Sequence, residues 1–266
     1  MIVNLKDTFN NGLAASYNVV TMCDAARPTY PLELLNDIKD FAEKSFFTRG
    51  LEIGAGTGQA TDLFIKVIND LDIVEVGDKQ VDYLMEKYKS ENVNTYKAYF
   101  EDFKSNKKYD LIFSATAFHW VDATVGYPKV WDMLNDSGVL AVFWHMSSVT
   151  LHDTGIFVGL NEIKKKYLPE ESLGFDKEGI EGVRQKRISQ IQSGNYFGIP
   201  VIKEYRWIDT YDADRYSLLL ESYSSTQTLD EEHKKLYLSE VRDYINSNGG
   251  VVEMPQHVML YLVKKE

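Results

Sequence analysis

The sequence of 266 residues holds a single cysteine, Cys23. A lone thiol excludes an internal disulfide and any metal cluster built from several cysteines. Nothing near it in sequence marks a catalytic nucleophile, so it reads as an inert small side chain. Positive charge is in deficit, with 29 Lys and Arg against 40 Asp and Glu and a net charge of -11. Binding along a phosphate backbone depends on Lys and Arg displacing counterions, so nucleic acid is not expected as a partner. Long apolar runs are missing as well. None approaches the roughly 20 residues that span a bilayer, and residues 1–10 lack the apolar stretch of a secretory leader. The expectation is a cytoplasmic chain with no membrane partner. His152, His233 and His257 are too dispersed to suggest a metal site, and no metal is expected.

What is present belongs to a globular protein: 44% hydrophobic residues and 13% aromatics supply enough apolar surface to offset chain entropy. Strand and helix signals alternate from about Arg49 to His145, the pattern of a mostly parallel sheet with helices on both faces. Leu51-Glu52-Ile53 leads into a glycine turn, and Ala60 to Ile68 has helical spacing. Leu71 to Val76 reads as the second strand, and Val81, Leu84, Met85 and Tyr88 mark the buried stripe of a second helix. Val93 to Tyr99 is the third strand. Tyr109 to Ser114 is apolar enough to be central, and Gly138 to His145 follows a turn at Asn135 to Gly138. From Thr150 to about Pro200 the pattern turns helical, as an inserted cap would, and Lys164-Lys165-Lys166 reads as a solvated helix face. Strand character returns at Val201 to Ile208, helices follow at Ala213 to Tyr223 and Asp230 to Asn246, and Gly249-Gly250 precedes a last strand, Val251 to Val263. That ending suggests a closing hairpin at one sheet edge. One domain over residues 1–266 is expected, with a core at about 49–147, a cap at about 150–200 and a further part of the sheet at about 201–266.

The motif carrying most chemistry is Leu51-Glu52-Ile53-Gly54-Ala55-Gly56-Thr57-Gly58. Glycines at a strand-to-helix junction let the backbone turn sharply and bring a ligand against main-chain N–H groups. A dinucleotide fingerprint, G-x-G-x-x-G, would place its third glycine one position later. Glu52 in the preceding strand suits a ligand with a cationic amino-acid end better than a diphosphate. Glu75 ends the second strand about 20 residues past the start of the loop, where a carboxylate can accept from both hydroxyls of a ribose. Phe100-Glu101-Asp102 follows the third strand, with an aromatic to lie on an adenine and a polar group near its amine.

The order of these elements resembles the class I S-adenosylmethionine-dependent methyltransferases. Ser114-Ala115-Thr116-Ala117-Phe118-His119-Trp120-Val121-Asp122 after the fourth strand and Arg27-Pro28-Thr29-Tyr30-Pro31 before the first look like the small-molecule branch that includes trans-aconitate methyltransferase-like proteins, of methyltransferase type 11. The tail at Leu219 to Ser225, Leu229-Asp230 and Gly249-Gly250 is similar too. The resemblance implies a Rossmann-like α/β fold: a mostly parallel seven-stranded sheet with an antiparallel terminal strand and a helical cap. It implies S-adenosyl-L-methionine as cofactor, leaving S-adenosyl-L-homocysteine as product. Gly54, Ala55, Gly56 and Gly58 would line its methionine and ribose portion, and Glu75 would hold the ribose hydroxyls. Phe100 and Glu101 would frame the adenine, with Ser114 and Ala115 on the sulfonium side. Tyr99 departs from the family in standing where a carboxylate often contacts the adenine amine, and Val76-Gly77 replaces a proline-containing turn. Cys23 stands where relatives often have tyrosine, which leaves Tyr17 as its substitute.

Methyl transfer from a sulfonium is an in-line displacement, so alignment and exclusion of water matter more than acid or base groups. A carboxylate acceptor needs no base, whereas a hydroxyl or amine can. His119, expected at the carboxyl end of the fourth strand where open α/β sheets bind ligands, is the candidate catalytic base. Tyr30, Trp120, Trp144 and His145 are candidate acceptor contacts. Arg27 is a candidate for a carboxylate of the cofactor or the substrate. A small-molecule acceptor and a monomer or homodimer are expected. Two other function classes stand beside this reading: a binding module that keeps the cofactor without catalysis, and a nicotinamide-dependent oxidoreductase on a similar sheet.

Overall fold

The computed structural model describes residues 17–146, 155–168 and 179–266. The chain divides into two compact units, and the described residues of one are 29–146, 179–205 and 258–266, those of the other 17–28, 155–168 and 206–257. The segment read as one cap contributes residues to both.

In the larger unit, helix α2 (Leu32–Ala42) precedes β1 (Phe47–Ile53), and a single helical turn, α3 (Thr61–Phe64), leads to β2 (Ile68–Glu75). Then follow α4 (Asp78–Lys87), β3 (Val93–Lys97), β4 (Tyr109–Ala115), a 3-10 turn at Phe118–Trp120, α5 (Ala123–Met133), β5 (Leu134–His145) and α7 (Gly179–Gln192). The other unit holds α1 (Tyr17–Ala26), α6 (Ile156–Tyr167), α8 (Ala213–Glu221), α9 (Ser224–Gln227) and α10 (Glu231–Ser247). Strands β6 (Val201–Asp212) and β7 (Val251–Lys264) contribute residues to both units.

The strands form a seven-stranded sheet in the order β3-β2-β1-β4-β5-β7-β6. β1 runs parallel to β2 and β4, β2 to β3, and β4 to β5, while β7 is antiparallel to β5. Leu111, Ile112 and Phe113 are buried on both faces of this central position. One face packs Leu51, Ile53, Ile112, Leu140, Val142 and Trp144 with Tyr127, Val130 and Met133 of α5. On the other face Phe64 stacks on Phe113 with ring centroids 4.1 Å apart, and α2 buries Leu34, Leu35, Ile38 and Ala42 at helical spacing. In the smaller unit Leu160, Tyr216, Leu219, Tyr237, Leu238, Val241 and Ile245 share a second core. Asp212 and Asp230 cap α8 and α10 by accepting from the backbone N–H of Arg215 and His233.

Four local expectations are corrected. The helix read over Ala60 to Ile68 is one turn long, because Ile68 already pairs with Phe47 as the first residue of β2. In α4 the buried positions are Gln80, Val81 and Leu84, followed by Tyr88, while Met85 faces solvent. The turn at Asn135 to Gly138 is absorbed into β5 as a bulge: Tyr109 pairs with Leu134 but Leu111 with Val139, and Ser137 takes a φ of 60°. β7 does not close an edge but lies between β5 and β6, which suits a strand buried from Gln256 to Val263. Residues 147–154 and 169–178 of the expected cap lie outside the described residues.

Candidate cofactor and acceptor site

The carboxyl ends of β1, β2 and β4 meet at the glycine loop of the larger unit. Gly54, Gly56 and Gly58 all have positive φ, at 71°, 60° and 93°, a region that costs other L-residues about 1–2 kcal/mol. Their surroundings differ. A Cβ on Gly54 would lie 2.5 Å from Cβ of Ala117, and one on Gly58 would collide with the Tyr88 hydroxyl. A Cβ on Gly56 would meet no described atom within 4 Å, so the loop opens outward at that residue.

Glu75 ties the loop down. Its Oε2 accepts from the Gly56 N–H at 2.8 Å, and its Oε1 accepts from the N–H groups of Val76 and Gly77 at 2.8 and 3.0 Å. A carboxylate has roughly four acceptor positions, so these bonds fill most of them. Burial raises its pKa, and the three backbone donors act against that rise.

Glu52 lies beneath the loop, fully buried in β1. Its Oε2 accepts from Thr61 Oγ1 at 2.6 Å, and its Oε1 has no hydrogen-bond partner among the described residues. Desolvation pushes its pKa up to about 8, with the Thr61 hydrogen bond opposing and the Glu75 and Asp62 charges adding to the rise. Thr61 was not singled out from sequence, although it opens the helix of the motif. Tyr88, also outside the candidate set, donates to the Gly58 carbonyl at 3.1 Å and to Asp62 Oδ1 at 2.7 Å.

Beyond β3, Phe100 is buried in the core beside Phe118, with Lys129 Nζ 5.2 Å from its ring centroid. Glu101 is half-buried and accepts from the Asp122 N–H at 3.1 Å. The more exposed aromatic of this stretch is Tyr99. Ser114 is buried and donates to the Ile53 carbonyl at 2.7 Å, bracing β4 against the end of β1, and half-buried Ala115 ends β4.

The end of β4 leads to two side-chain groups. Thr116, a β-branched residue at a φ of 53°, bonds through Oγ1 to the Tyr30 hydroxyl at 3.1 Å and accepts from the His145 N–H at 3.3 Å. The Tyr30 and His145 rings lie 4.8 Å apart, and burial lowers the His145 pKa to about 4. In the second group, Trp144 Nε1 donates to His119 Nδ1 at 3.1 Å. The His119 ring lies 4.8 Å from that of Trp120, and Arg187 of α7 places its guanidinium carbon 4.3 Å from the Trp144 ring centroid. His119 is exposed among the described residues, and partial desolvation together with the Arg187 charge lowers its pKa to about 4. Sequence reasoning missed Thr116 and Arg187: the first is marked only by its backbone conformation, the second only by a contact across the fold.

The larger unit therefore brings together the loop, Glu52, Glu75, Ser114, Ala115, Tyr30, His119, Trp144 and His145. Arg27 is exposed and follows α1 in the smaller unit; Tyr17 begins α1, and its side chain, like that of Cys23, lies outside what is described.

A strand order with one antiparallel insertion and a glycine loop tied to an acid at the end of β2 define a Rossmann-like methyltransferase fold. Residues 51–142, from β1 into β5, match the family profile described as a methyltransferase domain. An alignment at 29% identity over 140 residues relates it to the Saccharomyces cerevisiae protein named "Probable S-adenosylmethionine-dependent methyltransferase CRG1". That alignment covers 49% of this chain and 44% of the relative, so the chain spans less than half of the curated protein it matches. A solved structure assigned as a type II methyltransferase from Anaeromyxobacter dehalogenans superposes with a TM-score of 0.60 at 17% identity, covering 90% of this chain and 96% of that one. Phosphoethanolamine N-methyltransferase 2 of Haemonchus contortus, solved with S-adenosyl-L-methionine, gives 0.54 at 12% identity, covering 99% of this chain and 60% of that one. At such identities the likeness concerns the fold.

Proposed function

We propose that the protein transfers a methyl group from S-adenosyl-L-methionine to a carboxylate or hydroxyl oxygen of a small organic molecule. The observation that carries this reading is the outward opening of the loop at Gly56, whose N–H is bonded to the buried carboxylate of Glu75. A side-chain-free turn beside an acid fits a nucleoside with two ribose hydroxyls and an amino-acid tail. When bound, the cofactor supplies a methyl carbon already activated by its sulfonium charge.

On this reading Gly54, Ala55, Gly56 and Gly58 line the methionine and ribose portion, and Glu75 turns part of its acceptor capacity toward the ribose. Glu52 lies beneath the amino-acid end as a buried hydrogen-bonding group that holds its proton at neutral pH. Glu101 lies at the adenine edge with Phe100 behind it, and Ser114 and Ala115 flank the sulfonium side. Tyr30, His119, Trp120, Trp144 and His145 shape the acceptor pocket, hold the nucleophile in line and exclude water. The net charge of -11 supports a small molecule over a polyanion as substrate.

Isothermal titration with S-adenosylhomocysteine tests the first half of the proposal and is expected to show saturable, one-site binding. A screen of organic acids, phenols and amines for S-adenosylhomocysteine release tests the second. Binding without turnover across that screen would favour a non-catalytic module. Nicotinamide cofactor binding without competition from S-adenosylmethionine would favour an oxidoreductase.

A further inference from the structure

We infer that His119 faces the acceptor as a fixed hydrogen-bond donor through Nε2–H, held in that form by Trp144 and Arg187 as positioning residues, and that it does not serve as a proton acceptor. The assignment follows from donor bookkeeping. An indole nitrogen can only donate, so the 3.1 Å contact from Trp144 Nε1 to His119 Nδ1 requires a bare lone pair on Nδ1. A neutral imidazole has one such lone pair, and the ring proton then resides on Nε2. Protonating His119 would set two donors against each other.

The neighbours enforce the same state. Arg187 stacks on Trp144 and its positive charge acts on His119, which opposes a second cation there. Arg187 also acts on the phenols of Tyr127 and Tyr261, lowering their pKa against the rise that burial brings, and both stay uncharged at neutral pH. Tyr261 fixes the indole from another side, with ring centroids 5.7 Å apart at 77°. Trp144 is itself buried, so its N–H direction is set by the core and not by the solvent.

The position of His119 gives this chemistry its use. Ala117, two residues earlier, packs against Gly54 of the loop, so the turn carrying His119 adjoins the site proposed for the cofactor. A neutral donor there selects an acceptor that presents a lone-pair oxygen and orients it for in-line attack. It removes no proton, so the attacking atom must arrive already nucleophilic. What His119 faces rests on the methyl-transfer reading; its tautomer does not.

The test uses the full chain with nitrogen-15-labelled histidine, observed by two-bond nitrogen–proton correlation with and without S-adenosylhomocysteine. His119 is identified by the signal lost in His119→Gln. The expected pattern is a protonated Nε2 and a bare Nδ1, unchanged through the ordinary imidazole midpoint of about 6.5. Trp144→Phe is expected to give averaged tautomers and a midpoint moved up toward that value. Arg187→Gln, on a half-exposed helix position, is expected to raise the midpoint while the tautomer persists. A proton on Nδ1, averaged tautomers or an ordinary midpoint in the unsubstituted protein would overturn the inference, whether or not Trp144→Phe folds. Calorimetry on the same samples separates the two readings: failure to bind S-adenosylhomocysteine sinks the proposed function and leaves the tautomer result standing.

Discussion

Glu52→Gln is expected to flatten the pH dependence of folding stability, and the size of the effect follows from the burial of one carboxyl. In the folded chain Glu52 has a pKa of about 8 against an ordinary 4.5, because it is fully desolvated and Thr61 alone donates to it among the described residues. Between those two values the folded protein keeps a proton that the unfolded chain has released. Folding then takes up a proton, so stability is highest below the lower pKa and falls as pH rises through the upper one. The slope is about 1.4 kcal/mol per pH unit, and the whole window amounts to about 5 kcal/mol. Glutamine keeps an acceptor for Thr61 and carries no charge, so its stability lacks this slope. Urea denaturation followed by circular dichroism, at steps between about pH 5 and pH 8, reads the difference directly. The variant should gain on the parent by about 1.4 kcal/mol per unit as pH rises. Parallel profiles would refute the reasoning. Thr61→Val removes the one side-chain bond that lowers the Glu52 pKa, and should carry the fall in stability to still higher pH.

Glu75→Ala removes the acceptor of three backbone N–H groups; calorimetry should show S-adenosylhomocysteine affinity down by about 10-fold to 100-fold, and a folded variant with unchanged affinity would remove Glu75 from the site. Gly56→Ala meets no described atom within 4 Å at a φ of 60°, so denaturant titration should show a loss of only about 1–2 kcal/mol, with a disproportionate loss of S-adenosylhomocysteine binding. Gly54→Ala adds a collision with Ala117 to a φ of 71° and should cost more stability, about 2–5 kcal/mol. Equal stability of the two variants would contradict the described loop. Tyr109→Phe removes a 2.7 Å bond to buried Asp72 and should lower stability by about 1.5–3 kcal/mol, measured by the same titration, with no change in cofactor affinity.

Much of the larger unit was legible because its signals are local. The run Leu51-Glu52-Ile53 followed by three alternate glycines announces a strand and a turn with positive φ, and all three glycines adopt it. The apolar run from Tyr109 to Ser114 marks a central strand, and β4 is buried along that length. The spacing from the loop to Glu75 placed an acid within reach of the loop, and the bond to Gly56 is there. Phe100 illustrates the limit: an aromatic after a strand fits a ligand face or a core position equally well, and packing beside Phe118 puts it in the core.

What the sequence decided by itself is therefore the order of strands and helices, the sites of left-handed backbone, and the chemical identity of the acids around the loop. Each depends on a few neighbouring residues and on which side chains tolerate water. Only the tertiary structure decided that β7 enters beside β5, that Thr61 meets Glu52, that Thr116 is strained against Tyr30 and His145, and that Arg187 lies over Trp144. Those outcomes are set by which surfaces pack together over long separations, and even the ring nitrogen carrying the His119 proton depends on an N–H brought from another strand.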